Sequence, residues 1–285
     1  MNALPGRHLD LATAQTIRSH KNSFMPAMRT TTICGTVFQV TWLPLTNWYL
    51  AMHLLTQAKN NVSALELKRP PGVRYQTAWL IKRKLLQVMA GHGRSCVNEK
   101  SRANTMGALR STMPTQLSGE SSGGKRGRCS ENKVPFIAAV QTTRAGQPVP
   151  MCLKKLGFTK EAIANWARKS LCASAQVLSD GLRCFQSVTV VGASHQRTVT
   201  GGGAASVKLE QFRAVNTVLG NLETAFRGAC HAFDFAKYGH RYLAEVQYRF
   251  NRHFDLSVIL AQLLRASAVT SQHPVRIIRV AEHDG

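Results

Sequence analysis

The chain has 285 residues, and its 37 lysines and arginines outnumber 14 acids to give a formal net charge of +23. That excess is beyond ordinary solubility needs and points to a polyanionic partner, although arginine-rich, acid-poor composition also arises when coding DNA is read out of frame. Charged residues interrupt every apolar run well short of the roughly 18–20 residues a spanning helix requires. Met1 to Arg29 also lacks the apolar stretch of a secretory signal, so no membrane partner and a cytoplasmic location are expected.

The length suits one sizeable core plus a small accessory domain. Residues 1–32 show no apolar period and read as irregular or disordered. Pro44 can open a helix in which Trp48, Leu50, Ala51, Leu54 and Leu55 share a face. A short helix over Ser63–Lys68, a Pro70-Pro71-Gly72-Val73 break and a basic helix over Tyr75–Met89 follow. Helix, helix, glycine-containing turn and a last helix with Arg74, Lys82, Arg83 and Lys84 predict a helix-turn-helix over 33–90. A plain three-helix unit with a solvated basic face fits the same pattern.

Residues 91–128 are rich in Gly, Ser and Arg and read as irregular. Val134–Gln141 and Val149–Leu153 predict a hairpin across Gly146-Gln147, Lys160–Leu171 a helix, and Ala175–Ser179 a strand ending in Asp180-Gly181. Val188–Val191 is expected as a further strand, Gly201-Gly202-Gly203 as a break, and Val207–Arg227 and Tyr238–Asn251 as helices. The fold class expected for 129–285 is α/β with C-terminal helices.

Cys34, Cys96, Cys129, Cys152, Cys172, Cys184 and Cys230 are odd in number and never in CxxC spacing, which supports neither a disulfide frame nor a zinc knuckle. The triple glycine lacks the Lys-Ser/Thr ending of a phosphate loop. Metal-assisted phosphodiester chemistry needs acidic or amide oxygens converging at strand ends and on a helix. Asp180 follows a strand and is a candidate, though Asp-Gly is also a common turn. Asn216 and Glu223, seven residues apart, fall on one helical face, where an amide and an ionisable group could serve a metal and a phosphate, although by pattern alone an exposed polar face is the commoner reading. His195, His231 and His240 lack ligand spacing and read as surface or core histidines.

Several motifs in order then carry a family resemblance: Trp48-Tyr49-Leu50-Ala51, Leu54-Leu55-Thr56, Ser63-Ala64-Leu65-Glu66-Leu67, Thr77-Ala78-Trp79, Ser179-Asp180-Gly181, Val215-Asn216-Thr217, Arg241-Tyr242-Leu243 and Tyr248-Arg249-Phe250-Asn251-Arg252. Over about residues 33–90 and 117–280 the chain resembles bacterial insertion-sequence transposases with an Asp-Asp-Asn/Glu active site. The resemblance implies an RNase H-like core behind a helix-turn-helix, cleavage and transfer of DNA strands with Mg2+ or Mn2+, and homo-oligomers on DNA at terminal inverted repeats and target. It places the second carboxylate at Asp180 and the third ligand at Asn216, with Asn221 as second choice; both Asp180 and Asn216 would be metal ligands. Glu223 stands where such proteins carry a lysine, which reverses a charge near phosphate. Arg241, Arg249 and Arg252 join Arg74, Lys82, Arg83 and Lys84 as expected DNA contacts.

Two departures stand out. No cysteine-rich zinc ribbon precedes Gly35–Phe38, and the first carboxylate is missing. The family's strand reads approximately Gly-Arg-Val-Glu-Ile-Asp-Asp-Ala-Tyr, and the same place here is Gly107-Ala108-Leu109-Arg110-Ser111-Thr112-Met113-Pro114-Thr115. Read one frame later from the third base of the Met106 codon, codons compatible with these residues spell that strand. Family-like sequence returns at Ser118-Gly119-Glu120 and Ser121–Lys125. A pair of compensating frameshifts spanning roughly Gly91–Gln116 is therefore expected, leaving a defective transposase, a DNA-binding relic that does not cut, or a translated pseudogene.

Overall fold

A computed structural model describes residues 33–39, 41–58, 61–93, 133–143, 146–199, 209–229, 233–253 and 255–279, and the backbone of 105–114. Residues 1–32, the triple glycine, Ser118–Lys125 and His231 lie outside the described residues.

Among the described residues three helices come first: α1 (Leu45–Gln57), α2 (Ala64–Leu67) and α3 (Tyr75–Gly91). Pro44 sits at the N-cap of α1, and Trp48, Ala51, Met52 and Leu55 form its buried face. Ser63 and Glu66 start α2 with a reciprocal capping box, Ser63 accepting from Glu66 N at 3.0 Å and Glu66 from Ser63 N at 2.7 Å. Gly72, at φ 65°, supplies the left-handed backbone that turns the chain toward α3.

The strands are β1 (Thr105–Pro114), β2 (Lys133–Thr142), β3 (Pro148–Lys155), β4 (Gln176–Asp180) and β5 (Ser194–Thr198), in sheet order β3-β2-β1-β4-β5. β1 and β2, and β2 and β3, run antiparallel; β1 and β4, and β4 and β5, run parallel. The predicted hairpin is present, turned by Gly146 at φ 75°.

Two expectations are corrected. Thr105–Pro114, inside the stretch read as irregular, forms the central strand, because its lack of a hydrophobic period is no obstacle to backbone pairing on both sides. Arg183–Val191 is a 3-10 helix whose Cys184, Phe185 and Val188 face inward, and the strand comes later, at β5. A short β-branched run cannot be told from a helical segment by periodicity alone.

β2 explains the layering. Its alternate side chains enter different cores: Phe136, Ala138 and Val140 pack with α5 (Arg213–Ala229) and α6 (Phe235–Phe250), while Ile137 and Ala139 pack with α4 (Lys160–Ser170) and the 3-10 helix. Helices therefore cover both faces of the sheet. The 3–4 residue spacing of Val215, Val218, Leu222 and Phe226 makes the inner stripe of α5. Phe226 sits edge-on to Phe235 and Tyr242 at 6.0 and 6.1 Å between ring centres.

The outer edge of β3 is closed by side chains of α6. Asn251 accepts from Met151 N at 2.8 Å and donates to Met151 O at 3.0 Å, and Gln247 accepts from Leu153 N at 2.8 Å. An amide side chain thus takes the place of a further strand. On the far side of α6, helices α7 (Leu256–Val269) and α8 (Val275–Arg279) complete the chain. Tyr248, Ile259, Leu263 and Ala266 share one apolar cluster with Trp48, Leu55, Ile81 and Leu85, so α1–α3 and the C-terminal helices are built around a common core.

Candidate active site

β4 carries Asp180 to the carboxyl end of two parallel pairings, the end of an open sheet at which ligands usually bind. Val177 and Ser179 point inward, and Asp180, on the opposite alternation, is half-buried. Its peptide carbonyl accepts from Leu182 N in the tight turn that ends the strand. A Cβ at Gly181 would meet Val199 Cγ2 at 3.2 Å, so glycine lets the chain leave the sheet close against the end of β5.

In register, Asp180 stands beside Thr198, and Thr198 Oγ1 donates to Gln211 Oε1 at 3.4 Å. Gln211 lies in the single 3-10 turn leading into α5, whose first turn holds Asn216. This chain of neighbours brings the strand end and the start of α5 to the same side of the sheet. Asn216 is half-buried, whereas Asn221 and Glu223 are exposed. Asn216 therefore fits an inward role, and Asn221 and Glu223 do not line the same recess.

β1 lies on the other side of β4, with Ala108 opposite Ser179. From Thr105 to Pro114 it contains no Asp or Glu. Among the described residues no group of three or more His, Cys, Asp or Glu side chains is placed to hold a metal ion. One carboxylate with one amide is short of the donor set a pair of divalent ions requires. The residues present do not fit that centre.

Ser179 and His195 were not read as site residues. Ser179 is fully buried, and its Oγ lies 2.7 Å from His195 Nε2, across the β4–β5 pairing. Burial, and then the nearby Arg197 charge, hold the His195 pKa below its usual value, which favours the neutral ring. The pair pins β5 to the residue before Asp180. Parallel pairing brings together positions 16 apart, so no spacing rule along the chain would have flagged it.

The expected DNA-contacting cations are mostly interior. Lys82, Arg83, Lys84, Arg241 and Arg252 are buried, Arg249 is half-buried and Arg74 is exposed. Lys82 Nζ donates to Val62 O at 2.5 Å and Lys84 Nζ to Val37 O at 3.2 Å. The Arg83 guanidinium stacks 3.8 Å from the Tyr238 ring centre. Arg252 lies 3.6 Å over Tyr248 and donates to Gln262, Tyr248 O and His92 O. Burial lowers the Lys84 pKa; it also lowers that of Arg249, where Glu245 opposes the shift. The expectation of a cationic α3 surface fails at Lys82, Arg83 and Lys84 because α6 and the segments before α1 and α2 cover that stretch. These side chains hold helices together through carbonyls and rings.

Residues 114–251 match the family described as the ISXO2-like transposase domain. Just under half of the chain is thus similar to an insertion-sequence transposase domain. The match begins at the last residue of β1, takes in Asp180 and Asn216, and ends at Asn251 on the closed edge of the sheet. No curated protein sequence is significantly similar to the chain. Among solved structures, the Drosophila P element transposase strand transfer complex shares 9% identity at a TM-score of 0.31, with 89% of this chain and 65% of that chain covered. Among the described residues, no helix is long and apolar enough to cross a membrane.

Proposed function

We propose that this chain is the transposase of a bacterial insertion sequence, built to bind DNA at the element's terminal inverted repeats and to act on strands at the β4 end of an RNase H-like sheet. Asp180 takes the second acidic position and Asn216 the third. The first is vacant in sequence, because β1 reads Gly107-Ala108-Leu109-Arg110-Ser111-Thr112 beside β4. The observation that carries the reading is this juxtaposition: Asp180 at a parallel strand end, next to a central strand without an acid, at the point where the family match begins.

A divalent ion, Mg2+ or Mn2+, would supply activation of the attacking oxygen and charge stabilisation only in a protein that keeps the first acid. With the donor set incomplete, this copy recognises DNA without cutting it. Helices α1–α3 are proposed as a helix-turn-helix in which Arg74, at the exposed start of α3, is the remaining cation of the expected contact set. Assembly as a homo-oligomer on DNA and a cytoplasmic location follow from the same reading.

The test replaces Gly107–Thr115 with Gly-Arg-Val-Glu-Ile-Asp-Asp-Ala-Tyr and measures divalent-ion-dependent cleavage of a duplex carrying the element ends. Gain of cleavage, lost again on adding Asp180→Ala, is the expected result. A folded restored protein that does not cleave, with no effect of Asp180→Ala, would remove Asp180 from the site. Sequencing the encoding DNA across Ala90–Gly124 checks the cause: an open shifted frame reading Ile-Asp-Asp supports compensating frameshifts, and its absence makes the acid-free strand original to the protein.

A further inference from the structure

Most of the cations expected to meet DNA are tied into the interior, so the positive surface of the helical unit lies elsewhere. Arg241 is the tie. Its guanidinium donates to Ile278 O at 2.5 Å and to Gln87 Oε1 at 2.8 Å, which clamps α8 against α3. Ile278 is fully buried, while Arg276 and Arg279 are exposed. Docked this way, Arg279 lies 5.8 Å from the Trp79 ring centre, and Arg83 sits 5.1 Å from the same ring. Tyr75, one turn before Trp79 and on the same helical face, is 50% exposed, and Arg74 beside it is exposed.

Charge makes this face specific. No Asp or Glu occurs between residues 67 and 91 or between 256 and 279, so Arg74, Arg276 and Arg279 have no acid on their own elements to offset them. Two helices far apart in sequence thus put guanidinium groups around a pair of aromatic rings. Guanidinium groups match phosphate oxygens in geometry and charge, and aromatic side chains give the planar apolar contact that lies against sugar.

We propose that Arg276 and Arg279 of α8, with Arg74, Tyr75 and Trp79 of α3, form a phosphate-binding face for duplex DNA. The inference rests on the transposase reading above and moves the contact from the middle of α3 to its start and to the C-terminal helix. The face holds the DNA backbone irrespective of sequence and sets the register in which the element ends are presented.

The test uses the full chain and a fluorescent duplex of arbitrary sequence, titrated across a range of NaCl concentrations by anisotropy. Each lost phosphate contact removes about 0.9 from the slope of log affinity against log salt. Arg276→Ala/Arg279→Ala should therefore lower the slope by about 2, and Arg276→Ala alone, at an exposed position, by about 1. Lys160→Ala/Arg168→Ala, which removes the same charge from the exposed surface of α4, should leave the slope unchanged. Equal slopes for the wild-type and Arg276→Ala/Arg279→Ala proteins, or an equal fall in the α4 variant, would overturn this face while leaving the transposase reading in place. No salt-dependent binding by the wild-type chain would overturn both. Circular dichroism of each variant establishes that its helices are retained.

Discussion

At the carboxyl end of β4, Asp180 and Asn216 are half-buried, and the strand beside them contributes no acid. Between α3, α6 and α7 the reverse holds, because Lys82, Arg83, Arg241 and Arg252 are buried with hydrogen bonds or ring faces around their charged groups. Both regions lie in a chain of net charge +23, and between the helices that charge is structural. A buried guanidinium held by carbonyls, amides or ring faces is part of the scaffold. Asp180, at a strand end, is the carboxylate proposed above as part of the site. Counting basic residues along a helix therefore overestimates its nucleic-acid surface.

The comparison would break most visibly at the aromatic joint between sheet and helices. Phe226 is fully buried against Phe233, Phe235 and Tyr242, and Phe226→Ala should cost about 4 kcal/mol in chemical denaturation. A cost below about 1 kcal/mol would mean that the α5–α6 core is not packed as described. Next in size is Arg241→Ala, which leaves the Ile278 carbonyl and the Gln87 amide without their donor. About 3 kcal/mol is expected, with the loss concentrated on the docking of α8. If Arg241 were a free DNA-facing cation, the same change would leave stability within about 0.5 kcal/mol.

What could be read from sequence divides along the same line. The hairpin of β2 and β3, α4, β4 and the short helix over Ser63–Lys68 were legible because turn residues and helical periodicity act over a few neighbours. Asp180 and Asn216 were picked from a motif resemblance, and the site geometry adds their common side of the sheet. β1 was missed because its residues carry no strand pattern; pairing with β2 and β4 makes it a strand. The burial of Lys82–Lys84 was invisible for a related reason. The covering groups, Val37 O and Tyr238 among them, lie far away in the chain, and a basic run looks the same under a helix as in water. Asn251 was quoted only as part of a family motif, although its hydrogen bonds to Met151 give it a plain structural duty.

A smaller effect sharpens the electrostatic half of the contrast. His240 is held at about 4 by burial first and then by Arg241, Lys155, Lys154 and Arg83, against an ordinary value of 6.5. A histidine depressed in the folded state takes up its proton more readily when unfolded, so stability is complete above about pH 6.5 and declines as pH falls toward 4. Allowing for partial solvent screening, urea unfolding at pH 5 should give about 1 kcal/mol less stability than at pH 7. His240→Gln should flatten that difference. An unchanged difference in the variant would locate the pH sensitivity in other groups.

The smallest expected effect is at Asp180 and is the most discriminating. A carboxylate retained for chemistry contributes little to folding. Asp180→Asn should therefore leave stability within about 0.5 kcal/mol of the wild-type chain in metal-free buffer. The same substitution in the protein with a restored β1 should abolish the stabilisation gained on adding Mg2+, read as a shift in the unfolding midpoint. In the present chain, with β1 lacking an acid, Mg2+ should produce little shift with or without Asp180. A loss of several kcal/mol from Asp180→Asn in metal-free buffer would instead make Asp180 a structural residue of the β4 turn, and the contrast between scaffold charge and site charge would no longer separate the two ends of the molecule.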